Sequence, residues 1–218
     1  MALAIFDLDN TLIAGDSDAL WGDFIATNGL VDSEIYREGN NYFYEQYQQG
    51  QLDIHKYLAF CLKPLTQMNL DELAIWHDRF MEQVINPIML AKGKAQIEKH
   101  REQGDFLMII TATNRFITEP IVRQLNVDEM LAIDLEIKDN RYTGNIVGTP
   151  TFQDGKVIRL QQWLHKHPEH SMAGSYFYSD SKNDLPLLKQ VDHPIAVNPD
   201  PELESIARDQ DWAVMDFR

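Results

Sequence analysis

Two aspartates one residue apart, Asp7 and Asp9, follow directly on the apolar run Leu3-Ala4-Ile5-Phe6 and precede Asn10-Thr11. In a strand, alternate residues share a side, and at ~3.3 Å per residue the two carboxylates stand about 6.6 Å apart along it. Like charges so placed repel each other. They require a lysine or a hard cation such as Mg²⁺, which takes oxygen ligands. Three later stretches supply suitable partners: Thr111 at the end of 106–111, Lys156 after Gly155, and Asp180 at the end of 176–180, with Asn183 and Asp184 just beyond. Such a set suits phosphoryl transfer. One carboxylate attacks phosphorus, and a second protonates the leaving alcohol and then deprotonates water. Further carboxylates hold Mg²⁺, while a lysine and a hydroxyl bind the remaining phosphate oxygens.

These residues need a scaffold that gathers strand ends. Behind the first strand, Gly15-Asp16-Ser17-Asp18 has the composition of a turn, with Asp16 or Ser17 as helix N-cap. Apolar spacing predicts a helix from there to Gly29, then helices over 33–49, 53–62 and 70–84. A parallel crossover needs only a dozen or so residues and usually one helix, a part that 89–103 can fill. The chain before it is therefore an insertion at the carboxyl end of the first strand, over the crevice where open α/β sheets bind ligands. Beyond residue 106 strands and helices alternate: helix 115–125, strands 131–137 and 142–147 as a hairpin, and helix 157–165. Strand 176–180, helix 183–190, strand 194–197 and helix 201–208 follow. The expected fold is α/β, a doubly wound and mostly parallel sheet carrying an inserted helical cap. Its α/β core comprises residues 1–14 and 87–218, and its cap 15–86.

Four stretches resemble, in order, the motifs of the haloacid dehalogenase superfamily: Asp7-Leu8-Asp9-Asn10-Thr11, the strand ending in Thr111, Gly155-Lys156, and Ser179-Asp180-Ser181-Lys182-Asn183-Asp184. The resemblance is nearest to its phosphoserine-phosphatase-like branch, and extends to Tyr142-Thr143-Gly144 and Val197-Asn198-Pro199-Asp200. It implies a Rossmann-like core and a Mg²⁺-dependent phosphatase working through an aspartyl-phosphate. Asp7 would be the nucleophile and a metal ligand, and Asp9 the general acid/base, ligating metal through its main-chain carbonyl. Asp180 would be a further metal ligand, Asp184 and Asn183 would stand just behind these groups, and Thr111 and Lys156 would bind phosphate. Asp16 stands about where such enzymes carry a glutamate that holds the substrate amine, and it also suits a helix cap. With Trp21 and Phe43 it is a candidate for substrate contact. Ser179-Asp180-Ser181 replaces the Gly-Asp-Gly usual in phosphoserine-specific members, and Ala112-Thr113 replaces their glycines. The pattern is closer to a group that includes some histidinol-phosphate phosphatases, so phosphoserine and histidinol phosphate are both candidate substrates. Carbon–halide hydrolases of the superfamily lack the second aspartate, and Asp9 speaks against that chemistry. A phosphotransferase built on the same aspartyl-phosphate, or a protein that binds a phospho-ligand without turning it over, are the alternatives.

Composition narrows the partners. The chain has 218 residues and a formal net charge of −15, from 34 acidic and 19 basic residues. That field repels polyanions, so the expected partner is a small phosphorylated metabolite and not nucleic acid. No run of about 18 apolar residues spans a membrane, and Cys61 is the single cysteine. With no basic segment before the first apolar run, these features point to a cytoplasmic protein. His165, His167 and His170 surround Pro168 at a predicted helix end and are expected to be solvated. The aromatic residues between Tyr36 and Tyr47 are expected to pack the cap.

Overall fold

The computed structural model describes residues 2–218. Strand β1 (Leu3–Phe6) is buried along its whole length. The chain leaves it through Asp7 and turns at Asn10, whose φ of 56° lies in the left-handed region that asparagine tolerates better than most residues. Helices α1 (Ser17–Thr27), α2 (Ser33–Gln48), α3 (Ile54–Leu62) and α4 (Leu70–Phe80) follow. Side chains of Asp16, Asp32 and Asp53 cap the first three, and a capping box of Asn69 with Glu72 opens the fourth. The predicted helix over 70–84 keeps its α-winding to Phe80 and then widens into a π-helical turn, Met81–Ile85, before Pro87. Helix α5 (Ala91–Glu102) leads into β2 (Phe106–Asn114).

The remainder runs α6 (Arg115–Leu125), β3 (Glu129–Lys138), β4 (Arg141–Val147), α7 (Asp154–Lys166) and β5 (Tyr176–Ser179). After β5 come α8 (Leu185–Leu188), β6 (His193–Val197), α9 (Pro201–Asp209) and β7 (Ala213–Met215). The described strands form one sheet in the order β4-β3-β2-β1-β5-β6-β7. Every pairing is parallel except the β3–β4 hairpin. The order runs outward from β1 in both directions, to β2 on one side and β5 on the other. A crevice therefore opens at the carboxyl end of β1, where the winding reverses.

Strand alternation sorts the buried side chains into two layers. Ala4, Phe6, Leu107, Ile109, Tyr178 and Val197 face one layer, with Ile97 of α5 and Ile117 and Ile121 of α6. Leu3, Ile5, Met108, Ile110, Phe177 and Ala196 face the other, with Leu160 of α7, Leu187 of α8 and Leu203 of α9. The first layer continues without a break into α1, α3 and α4 through Trp21, Leu62, Leu73 and Phe80, so the inserted helices share apolar packing with the sheet. Among the described residues no helix is long and apolar enough to cross a membrane. His167 stacks on Trp163 with ring centroids 4.4 Å apart, and His170 packs on Phe106 at 4.3 Å. His165 is exposed, as expected of the three, whereas His167 and His170 rest on an aromatic patch.

Candidate active site

Asp7 is the first residue past β1 and only 7% exposed. Its amide donates to the Tyr178 carbonyl on β5, which fixes where its side chain emerges. Lys156 donates through Nζ to Asp7 Oδ1 and to Asp184 Oδ2, each at 2.7 Å, and Ser179 Oγ donates to the same Asp184 oxygen at 2.6 Å. The glycine before Lys156 has a steric reason. A Cβ on Gly155 would fall 1.9 Å from the Pro150 carbonyl oxygen, so only glycine lets α7 start close enough to the preceding loop to bring Lys156 to Asp7. Burial alone would lower the Lys156 pKa, but Asp184 and Asp7 outweigh it and hold the ammonium above its ordinary value. Burial raises the Asp7 carboxyl to about 6 while the Lys156 charge pulls it down.

Asp9 is held from two sides. The Ser17 amide at the start of α1 donates to Oδ1 at 2.7 Å, and Thr113 Oγ1 on β2 donates to Oδ2 at 2.8 Å. Burial, then the charges of Asp16 and Asp7, push Asp9 up to about 8. Asp16 accepts from the amides of Asp18 and Ala19 at 3.0 Å, so it caps α1 and borders the site at once. Thr11 Oγ1 lies 3.4 Å from both Asp7 Oδ2 and Asp180 Oδ1, which brings carboxylates from β1 and β5 to one hydroxyl. Asp180 is raised well above its ordinary value by burial and by the charges of Asp7 and Asp184.

One pocket between the sheet and the inserted helices collects most of the predicted residues. Asp7, Asp9, Asp16, Phe43, Lys156, Asp180, Asn183 and Asp184 all line it. Two candidates do not. Thr111 is 1% exposed, and its Oγ1 accepts from the Thr113 amide. Strand β2 runs three residues past the predicted end, through an irregular register between Ile110 and Asn114, and the hydroxyl it presents to the pocket is that of Thr113. Trp21, 1% exposed, is packed against Phe80 at 5.3 Å, Phe116 at 5.2 Å and His77 at 5.8 Å, and is a core residue. The expectation that Trp21 faces the ligand is corrected accordingly.

The lining residues that were not anticipated as site residues include Asp18, Tyr47, Tyr57, Thr113 and Ser181. Tyr57 Oη donates a short hydrogen bond to Asp18 Oδ2, and Tyr47 Oη and Ser181 Oγ are 3.0 Å apart, linking α2 to the loop after β5. The aromatic run on α2 is divided between two duties. Tyr36 stacks on Phe60 in the core, while Phe43, Tyr44 and Tyr47 line the pocket.

A family model for haloacid dehalogenase-like hydrolases matches residues 4–189. The chain belongs to that family. This hydrolase is 44% identical to a histidinol-phosphatase of Neisseria meningitidis serogroup C, over 99% of both chains. A crystal structure of a Bordetella pertussis protein of unknown function superposes with a TM-score of 0.93 at 42% identity, covering 100% of this chain and 99% of that one. A substrate-bound phosphoserine phosphatase shares the fold, with a TM-score of 0.72 at 16% identity over 100% of this chain and 93% of the other.

The donor set of this hydrolase fits a hard dication. Asp7 and Asp180 offer carboxylate oxygens beside one hydroxyl, and among the described residues Asp9 and Asp180 have no basic side chain as partner. Among those residues no three His, Cys, Asp or Glu side chains form a metal cage on their own. Such a cage is not what Mg²⁺ requires, since it is usually held by one or two carboxylates with waters and phosphate oxygens completing its shell.

Proposed function

We propose that this hydrolase is a Mg²⁺-dependent phosphomonoesterase that acts on a small metabolite through an aspartyl-phosphate on Asp7. The observation that carries the reading is the split between two carboxylates that leave the same strand end. Lys156 holds Asp7 at 2.7 Å and favours its anion, whereas Asp9 has no basic partner and is pushed up to about 8. Environments that separate two acids in this way mark a nucleophile and a proton donor.

In this reading Asp7 attacks phosphorus, and Asp9, held by Ser17 and Thr113, protonates the departing alcohol oxygen. Water then attacks the aspartyl-phosphate, and Asp9, now a carboxylate, takes its proton. Lys156 keeps Asp7 ionised and supplies positive charge where the transferring group gathers negative charge. Asp7 and Asp180, with the Asp9 carbonyl, are the residues to hold Mg²⁺, which when bound offsets the charge of phosphate and carboxylates. Asp184, fixed by Ser179, positions Lys156. Residues 15–86 act as a cap that closes the reaction from bulk water, with the Tyr47–Ser181 contact at its rim. Histidinol phosphate and phosphoserine are the candidate substrates.

Phosphate release from a panel of phosphorylated metabolites, with and without Mg²⁺, tests the assignment against an Asp7→Asn protein. Metal-dependent release that disappears in the variant is expected. Release that persists in Asp7→Asn would remove Asp7 as nucleophile.

A further inference from the structure

The pocket has an uneven balance of charge. Six carboxylates line it, those of Asp7, Asp9, Asp16, Asp18, Asp180 and Asp184, and among the described residues Lys156 is the only basic side chain that does so. Lys156 is already committed to Asp7 and Asp184. A dication at the Asp7–Asp180 end offsets two charges, and the phosphate of a substrate brings about as many back. Toward the inserted helices two backbone amides of α1 cap Asp16, but among the described residues no basic side chain offsets Asp16 or Asp18. Asp18 is 8% exposed, and its carboxylate receives a hydroxyl from Tyr57 but, among the described residues, has no ammonium, guanidinium or imidazole against it. A buried carboxylate without a counter-charge is costly, and here it lines the same cavity as the rings of Phe43, Tyr44, Tyr47 and Tyr57. Aromatic walls beside carboxylates are the surroundings that hold an organic cation. They offer nothing to a second substrate anion, because among the described residues no arginine, histidine or further lysine lines the wall.

We infer that the alcohol of the substrate carries a cationic nitrogen group and no carboxylate, and that Asp18, buttressed by Tyr57, is the residue that selects for this charge, with Asp16 beside it. The inference rests on the phosphomonoesterase reading for the position of the phosphate. It deepens that reading by separating the two candidate substrates: phosphoserine brings a carboxylate that the pocket leaves unpaired, whereas an amino-alcohol phosphate does not.

Binding to the Asp7→Asn protein in the presence of Mg²⁺ separates recognition from turnover. Calorimetric titration would compare 2-aminoethyl phosphate, its uncharged counterpart propyl phosphate, and O-phosphoserine. The aminoethyl ester should bind about tenfold or more tightly than either of the others, the effect of one charge-assisted contact in an aromatic-walled site. Adding Asp18→Asn should shrink that ratio to within about threefold, since an amide removes the charge and keeps the shape. The comparison on the unaltered Asp18 pocket stands even if the double variant does not fold. Equal affinity for the aminoethyl and propyl esters, tightest binding of phosphoserine, or no binding of the aminoethyl ester overturns the inference. Phosphate release by the unaltered enzyme is read separately. An affinity order as expected with no release of phosphate would overturn the phosphomonoesterase reading and leave the charge preference standing.

Discussion

Thr113 Oγ1 donates to Asp9 Oδ2 at 2.8 Å, tying the end of β2 to the loop that leaves β1. Together with the Ser17 amide at 2.7 Å it fixes both oxygens of the carboxylate assigned here to proton transfer. Thr113→Val removes the donor and keeps the branched shape. Since general acid–base catalysis contributes about 10²–10⁴-fold and depends on placement, kcat should fall about tenfold or more while KM changes little. Steady-state kinetics on any substrate that the enzyme hydrolyses would check it. An unchanged kcat would show that Ser17 alone suffices to hold Asp9.

Lys156 is 2% exposed and is the shared partner of Asp7 and Asp184. Lys156→Met leaves two buried carboxylates facing each other with no cation, a change that typically costs about 3–5 kcal/mol. Activity should fall by about 10²–10³-fold, as when a donor to developing charge is lost. Denaturant unfolding measures the first effect and phosphate release the second. Asp184→Asn should be milder on both counts, because Lys156 keeps Asp7 and the amide oxygen can still accept from Lys156. If the two variants are equally damaging, Asp184 has a larger part than positioning.

Much of this architecture is legible in the residues because the signals are local. Asp16 caps α1 as its position suggested, the helices expected from 33, 53 and 70 start within a residue of those positions, and the apolar runs around Ile5, Ile109 and Phe177 form buried neighbouring strands. What escaped depends on contacts between distant segments. Strand β7 is three residues long, Ala213–Met215, too short for a period to show, and it exists because β6 offers it an edge. Trp21 sits five residues from Asp16, yet its ring points to α4 and α6, a choice made by Phe80 and Phe116. Asp18 resembled a turn residue, and only Tyr57, far along the chain on α3, reveals that its carboxylate is buried. Thr113 carried one usable signal, being a second hydroxyl at alternate spacing from Thr111.

Burial raises Asp9 to about 8 and Asp7 to about 6 from an ordinary value of 3.8. Groups whose folded pKa exceeds the unfolded one favour the fold fully below the unfolded value and lose that contribution as pH rises through the folded value. In the metal-free protein these carboxylates therefore become a burden between about pH 4 and pH 8. His77, whose pKa burial lowers, acts in the opposite sense, so a difference between proteins is the cleaner measurement. Asp9→Asn should raise the metal-free melting temperature more at about pH 8.5 than at about pH 5.5, by about 2–4 °C for each kcal/mol relieved in a chain of this size. Mg²⁺ should stabilise the unaltered protein more at the higher pH, since a cation binds ionised ligands. Stabilisation by Mg²⁺ that does not vary across this range would mean that these carboxylates are already ionised at the lower pH.

Trp21 and Phe43 offer the sharpest separation of packing from recognition. Trp21 is enclosed by Phe24, His77, Phe80 and Phe116, whereas Phe43 leans on Tyr57 and Phe60 with one side toward the pocket. Removing a fully buried aromatic side chain typically costs about 3–5 kcal/mol, so Trp21→Leu, which refills part of the volume, should cost less and leave KM where it is. Phe43→Leu should do the reverse. It keeps enough apolar contact with Phe60 for the fold, but it removes a ring from the pocket that Asp18 also lines, and KM should rise about threefold to tenfold as a cation–π contact is lost. Chemical unfolding and kinetics on the same pair of variants would check both. A rise in KM for Trp21→Leu with stability unchanged would restore Trp21 to the ligand side and require the inserted helices to move in the bound state.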